Sequence, residues 1–321
     1  MRSYFKEIDI VKGITILLVI LGHCFCTFPL NLNEEFPILG TIVRSFQMPL
    51  FFVASGFLFS TQSGWESLIK RKAIRLLVPY LVFGILSLIL RFVFGAITRG
   101  GADELSVLFY KLLNGELYWF LYTLILVMCV VQLIKSTFLL YIAAFICIIL
   151  CLYTDIRLLN VMTLGKVVYY YPFFVFGMAI KRWYSQIMYG LEKNRSICVI
   201  TLSLFFAIML FVDMRFSLIG FSLYIIPIIG IFMVWAISKV LADYSNMVVD
   251  FFVHFGKYSL QYYLNHLLIM LPFYYIASFI NFVHPIIPLL FIFVCAIVVS
   301  YIMLKIEKST KVLRMFCGLS K

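Results

Sequence analysis

Residues 8–23 read IDIVKGITILLVILGH, an apolar run whose only ionisable members are Asp9, Lys12 and His23. On a helix, the eleven steps from Lys12 to His23 return the side chain to within about 20° of its starting direction, roughly 16 Å further along the axis. Lys12 and His23 therefore share one face. Ionisable groups inside a helix otherwise suited to lipid are costly, so such a stripe marks a polar cavity or a site.

The rest of the chain has the same character. With 321 residues, 64% of them hydrophobic and 12% charged, it cannot build a dry core beneath a wet surface, and a soluble domain is excluded. Apolar runs long enough to cross a bilayer fall at 10–28, 38–60, 74–95, 117–134, 137–153, 164–180, 197–212, 217–238, 257–280 and 285–304. The expected fold is all-α: a polytopic transmembrane bundle of about ten spans, forming one unit over 1–321 with no repeat, linker or soluble domain. Two junctions stand out, a tight one at Lys135 and a break expected at Pro227.

Basic residues orient the bundle, because cytoplasmic loops carry an excess of Lys and Arg. With the N-terminus inside, nineteen of the 26 basic residues fall on the cytoplasmic side. The outside keeps Arg44, Arg91, Arg99, Lys111, Arg157, Lys166 and Arg215. Both termini are then cytoplasmic, and the net charge of +12 reflects topology and attraction to anionic headgroups, with no nucleic-acid partner. No small-residue cleavage pattern follows Leu21, so the first helix is read as uncleaved. The eight cysteines form no disulfide framework, and Cys24 and Cys26 stand too close for a zinc turn, so no metal is expected.

His23 lies near the outer end of the first span. Imidazole titrates near neutral pH and can take a proton from a hydroxyl, which suits it to general-base work; the alternative is a packing histidine bonded to a neighbour. Asp9 is read as an intrahelical ion-pair partner of Lys12. In the second span Arg44 and Gln47 are expected at the depth of His23, Pro49 frees backbone groups beside a cavity, and Ser55-Gly56 allows close helix approach. The run Lys70-Arg71-Lys72-Ala73-Ile74-Arg75 anchors the chain at the cytoplasmic face. Its Lys72 and Arg75, three residues apart at a helix start, also suit phosphate groups.

Two segments pair aromatics with polar groups at the outer face, 116–121 (ELYWFL) and 169–174 (YYYPFF). An interfacial belt accounts for such residues; sugar stacking on Trp119 and Tyr171 is the second reading, with Glu116 as an acceptor ligand. Near the C-terminus, Asn265 and His266 sit mid-span and must face protein or water. Tyr258, Tyr262 and Asn265 recur on one helical face, as in a packed seam, and His254 and His284 read as interfacial.

Together these residues resemble the acyltransferase 3 family of bacterial integral-membrane acyltransferases, and within it the fucose 4-O-acetylase-like branch. The resemblance rests on Ile8 to Ile14 running to Leu21-Gly22-His23, similar to the family's motif of a basic residue, ten spacers and a histidine, with lysine for the commoner arginine. It extends through Phe46 to Phe57, Arg75 to Pro79-Tyr80, Trp119-Phe120-Leu121, Phe174 to Gly177 and Tyr258 to His266. It implies an enzyme of the bacterial cytoplasmic membrane with no bound cofactor, moving an acyl group, usually acetyl, from acyl-coenzyme A to a sugar hydroxyl of an envelope glycan or its lipid-linked precursor. His23 would be the catalytic histidine, Lys12 its motif partner, and Lys72 and Arg75, with Arg71 nearby, the donor-binding basic pair. Gln47 stands where the acetylase-like branch often has histidine. Competing readings are a transporter or flippase for a lipid-linked glycan, against which no matched pair of interrupted helices is visible, and a non-catalytic scaffold, which leaves the Lys12–His23 stripe unexplained.

Overall fold

The computed structural model describes residues 5–26, 35–68, 74–98, 105–154, 163–193, 195–216, 221–278, 280 and 284–319. Among these it is all-helical, without a strand. In order the helices are α1 (Lys6–Cys26), α2 (Pro37–Leu58), α3 (Gly64–Leu68), α4 (Ile74–Thr98), α5 (Leu105–Leu113), α6 (Trp119–Ile134), α7 (Thr137–Tyr153) and α8 (Leu164–Arg182). They continue as α9 (Tyr184–Lys193), α10 (Arg195–Phe216), α11 (Ile226–Ala242), α12 (Met247–Lys257), α13 (Ser259–Ser278), α14 (Ile286–Glu307) and α15 (Lys311–Phe316).

Each apolar run of the sequence contains one of the longer helices. Among the described residues, five stretches are long and apolar enough to cross a bilayer: Lys6–Phe25, Pro37–Leu58, Arg195–Phe216, Leu223–Ala242 and Ile286–Glu307. Ile74–Leu90, Trp119–Ile134 and Thr137–Tyr153 are apolar but shorter. The outer helices turn large apolar side chains outward, Phe145 of α7 at 63% exposure and Phe211 of α10 at 70%. That surface suits lipid rather than water.

Junctions follow local chemistry. Lys135 takes a positive φ of 55° between α6 and α7, and its N–H donates to the Val131 carbonyl at 3.2 Å, which turns the chain in two residues. The break expected at Pro227 lies a turn earlier: a π-helical turn at Phe221–Ile225 precedes α11, and Pro227 occupies the first turn, where its missing N–H costs nothing. Asn246 caps α12 by accepting from the Val249 N–H at 3.0 Å.

α1 is central, packing on α2, α11, α12, α13 and α14, while α2 packs on α8 and α11. Two seams close to backbone contact. Gly56 faces the Phe174 carbonyl and Gly177 the Val53 carbonyl between α2 and α8; Gly13 faces the Phe252 carbonyl and Gly256 the Asp9 carbonyl between α1 and α12. No Cβ fits at any of the four, so the residues that approach a membrane neighbour most closely are those without a side chain. The Lys6 ammonium adds a tie, donating to the carbonyls of Ala242 at 3.0 Å and Tyr244 at 2.7 Å, where the end of α11 concentrates negative partial charge.

Candidate active site

α1 is the spine of the site. Lys12 Nζ lies 3.0 Å from Asp9 Oδ1, with the two side chains 21% and 14% exposed, so the lysine charge is balanced on its own helix. His23 stands in the last turn of α1, at the opposite end of the same face.

Each residue opens into its own cavity. One, of about 140 Å³, is bounded by Lys12 and Ser55 of the polar residues singled out in the sequence, with Ser259 from the start of α13 and an otherwise hydrocarbon wall. The second, of about 110 Å³, brings together His23, Glu116 and Trp119, with Ser87 of α4 and Tyr118. Tyr263 belongs to both walls. The Lys12–His23 face thus runs past two chambers with one aromatic ring between them.

Beside His23 the structure also brings groups from α13 and α2. The His266 ring centre is 5.2 Å away, at an interplanar angle of 51°. His266 Nδ1 is 3.0 Å from the Tyr262 carbonyl oxygen. A carbonyl only accepts, so Nδ1 carries the proton, and in neutral imidazole Nε2 is then a lone-pair acceptor. That Nε2 is buried with no hydrogen-bond partner. Gln47 packs on the neighbouring backbone: a Cβ added at Gly22 would come within 2.8 Å of its Oε1, which is also buried and unpartnered. Unpaired buried acceptors are costly, and they concentrate where a polar guest can satisfy them.

Other expected residues are dispersed. Arg44 is exposed and is not part of the His23 cavity wall. Asn265 points the other way from His266, its Nδ2 donating to Glu307 Oε1 of α14 at 2.8 Å, so it packs α13 on α14. Arg75 is exposed, and its Nε donates to the Gly318 carbonyl at 2.7 Å, holding the turn after α15 against the start of α4. Arg71 and Lys72 lie outside the described residues. Trp119 has the Lys166 ammonium 4.8 Å over its ring and Tyr170 stacked at 5.3 Å, which fixes its orientation at the cavity. Glu116 is exposed and accepts from Asn114 Nδ2 at 2.8 Å. Tyr171 is only 2% exposed, within the core, and cannot offer a stacking face to a sugar. His254 is more than interfacial: its Nε2 lies 3.2 Å from the Tyr262 hydroxyl and ties α12 to α13 across the bend at Tyr258.

Tyr263, Ser87 and Ser259 were not singled out by the sequence. Tyr263 carried a signal, since it precedes His266 by one helical turn. Ser259 lies within the Tyr258 to His266 stretch of the resemblance without a role of its own, and Ser87, a single hydroxyl in an apolar helix, carried no signal.

A family model described as an acyltransferase domain matches residues 5–305. Neither the curated proteins nor the solved structures include a match. The matched span takes in both cavities, the Lys12–His23 face and every helix that lines them, and the chain belongs to this acyltransferase family.

Proposed function

We propose that the protein is a membrane O-acyltransferase that takes an acyl group, ordinarily acetyl, from acyl-coenzyme A and places it on a sugar hydroxyl of an envelope glycan or its lipid-linked precursor. The observation that carries this reading is that Lys12 and His23, on one helical face, each border a cavity of the same bundle, with a shared wall at Tyr263. The protein sits in the bacterial cytoplasmic membrane with about ten spans and both termini inside, so the Lys12 end faces the cytoplasm and the His23 end the outside.

Donor phosphates rest at the cytoplasmic rim, on Arg71, Lys72 and Arg75. The pantetheine arm, an uncharged chain, passes the hydrocarbon wall of the Lys12 cavity, and the rough 16 Å between Lys12 and His23 is on the scale of that arm. The acceptor enters from outside, with Glu116 and Ser87 available to its hydroxyls and Trp119 to its apolar face. His23 then takes the proton of the attacking hydroxyl as its oxygen bonds to the thioester carbon. The C–S bond breaks, the ester C–O bond remains, and the proton passes to the departing thiolate to give coenzyme A thiol. Gln47 can donate through its amide to the transient oxyanion. The bare Nε2 of His266 beside the His23 ring favours the imidazolium formed on the way.

Within this family the fucose 4-O-acetylase-like branch is the reading we favour, on the ordered motifs from Ile8 to His266. The test is direct: purified protein in lipid nanodiscs, radiolabelled acetyl-coenzyme A and a panel of envelope glycans. Label in the glycan, alkali-labile as an ester, supports the proposal; glycan movement without label transfer would overturn it.

A further inference from the structure

Among the described residues, Tyr263 alone borders both the 140 Å³ and the 110 Å³ cavity. Its ring is 4% exposed and is fixed from several sides. Phe120 meets it edge-on at 5.4 Å, Tyr118 at 5.9 Å, and His266 lies at 5.6 Å. Tyr118, at the start of α6, donates its hydroxyl to the Leu264 carbonyl of α13 at 3.0 Å. That buried bond holds the first turn of α6 against α13.

Resting on the acyl-coenzyme A reading above, we infer that Tyr263 is the residue that limits the length of the acyl chain transferred. The carbonyl must come to His23, in the smaller cavity, together with the acceptor hydroxyl. An acetyl methyl adds little there. Each further methylene has to run back toward the donor side alongside the pantetheine arm, and there the Tyr263 ring, held by its aromatic neighbours, narrows the passage that the two must share. Beyond the ring lies the larger cavity, lined mostly by carbon and able to take an alkyl tail once the partition is shortened.

The test compares kcat/KM for acetyl-, butyryl- and hexanoyl-coenzyme A in wild type, Tyr263→Phe, Tyr263→Leu and Tyr263→Ala, with one glycan acceptor in nanodiscs. Wild type should prefer acetyl, as should Tyr263→Phe, which keeps the wall and loses only the hydroxyl. Tyr263→Ala should raise the hexanoyl-to-acetyl ratio at least about tenfold, in the range that a methylene or two is worth in an apolar pocket. Tyr263→Leu, which keeps an apolar side chain in the packed position, should shift the ratio the same way and carries the test if Tyr263→Ala does not accumulate. An unchanged ratio in the folded shortened variants overturns this inference alone, as does a Tyr263→Phe shift as large as that of Tyr263→Ala. A wild type that transfers no acyl group from any of the three donors overturns both this inference and the reading beneath it.

Discussion

The two chambers along α1 are close in size, about 140 and 110 Å³, and opposite in lining. At the Lys12 end the wall is Phe51, Leu58, Leu76, Leu124 and their like, and the one charge is already neutralised by Asp9 at 3.0 Å. At the His23 end, hydroxyl, carboxylate, indole and imidazole groups converge, with two buried acceptors left open beside them on Gln47 and His266. Under the proposed function, the contrast separates two jobs on one helical face. A hydrocarbon passage suits a long uncharged chain, whereas open acceptors suit a step in which a proton changes hands.

The strongest way to break this division is His23→Gln. Glutamine keeps much of the volume and a hydrogen bond but cannot take up the proton, so transfer should fall at least about a hundredfold while membrane abundance stays near normal. Near wild-type turnover would reduce His23 to a packing residue.

Next in size is Lys12. Lys12→Ala should lower kcat/KM by about tenfold or more, mainly through the donor, and Lys12→Arg should retain activity because it keeps the charge beside Asp9. Equal losses in both variants would assign the residue to helix packing. A smaller effect, a several-fold rise in donor KM that grows with salt, is expected when Lys72 and Arg75 are both changed to glutamine. A rise in acceptor KM instead would move the donor to the other chamber.

The smallest effect concerns the C-terminal turn. Burial, with the Glu307 carboxylate beside it, pushes the Cys317 thiol up to about 12, so it stays protonated and unreactive from neutral pH to about pH 9. In a variant with Cys317 as its only cysteine, maleimide labelling at pH 8 should be negligible. Rapid labelling would mean that the turn tied to Arg75 stands open.

Helices were legible because a bilayer demands long apolar runs, and α1, α2, α10, α11 and α14 meet that demand. The Lys12–His23 face was legible because it lies within one helix, where spacing alone fixes direction. Gln47 was placed near His23 by counting depth along α2, and it packs on Gly22. What stayed hidden depends on contacts between distant segments. The placing of Tyr263 between the cavities requires α13 to meet α6, and the bond of Asn265 to Glu307 requires α14 beside α13. Arg44 shows the limit of depth counting, since a residue counted to the right depth can still stay exposed and outside the cavity wall.

The glycine seam between α1 and α12 also has a consequence in time. Lys6 and the Ala242 carbonyl it grips are 236 residues apart in the chain. At roughly 5–20 residues per second, the ribosome needs roughly 12–50 s to make that interval. The helix carrying Lys12 and His23 therefore enters the bilayer before the other described helices yet receives its closest neighbour late, and its charged face has to be sheltered by the insertion machinery or by lipid headgroups until α12 and α13 arrive. Nascent chains stalled before residue 247 should carry an α1 that is inserted yet still open to cross-linking from Gly13, whereas chains released after α13 should not.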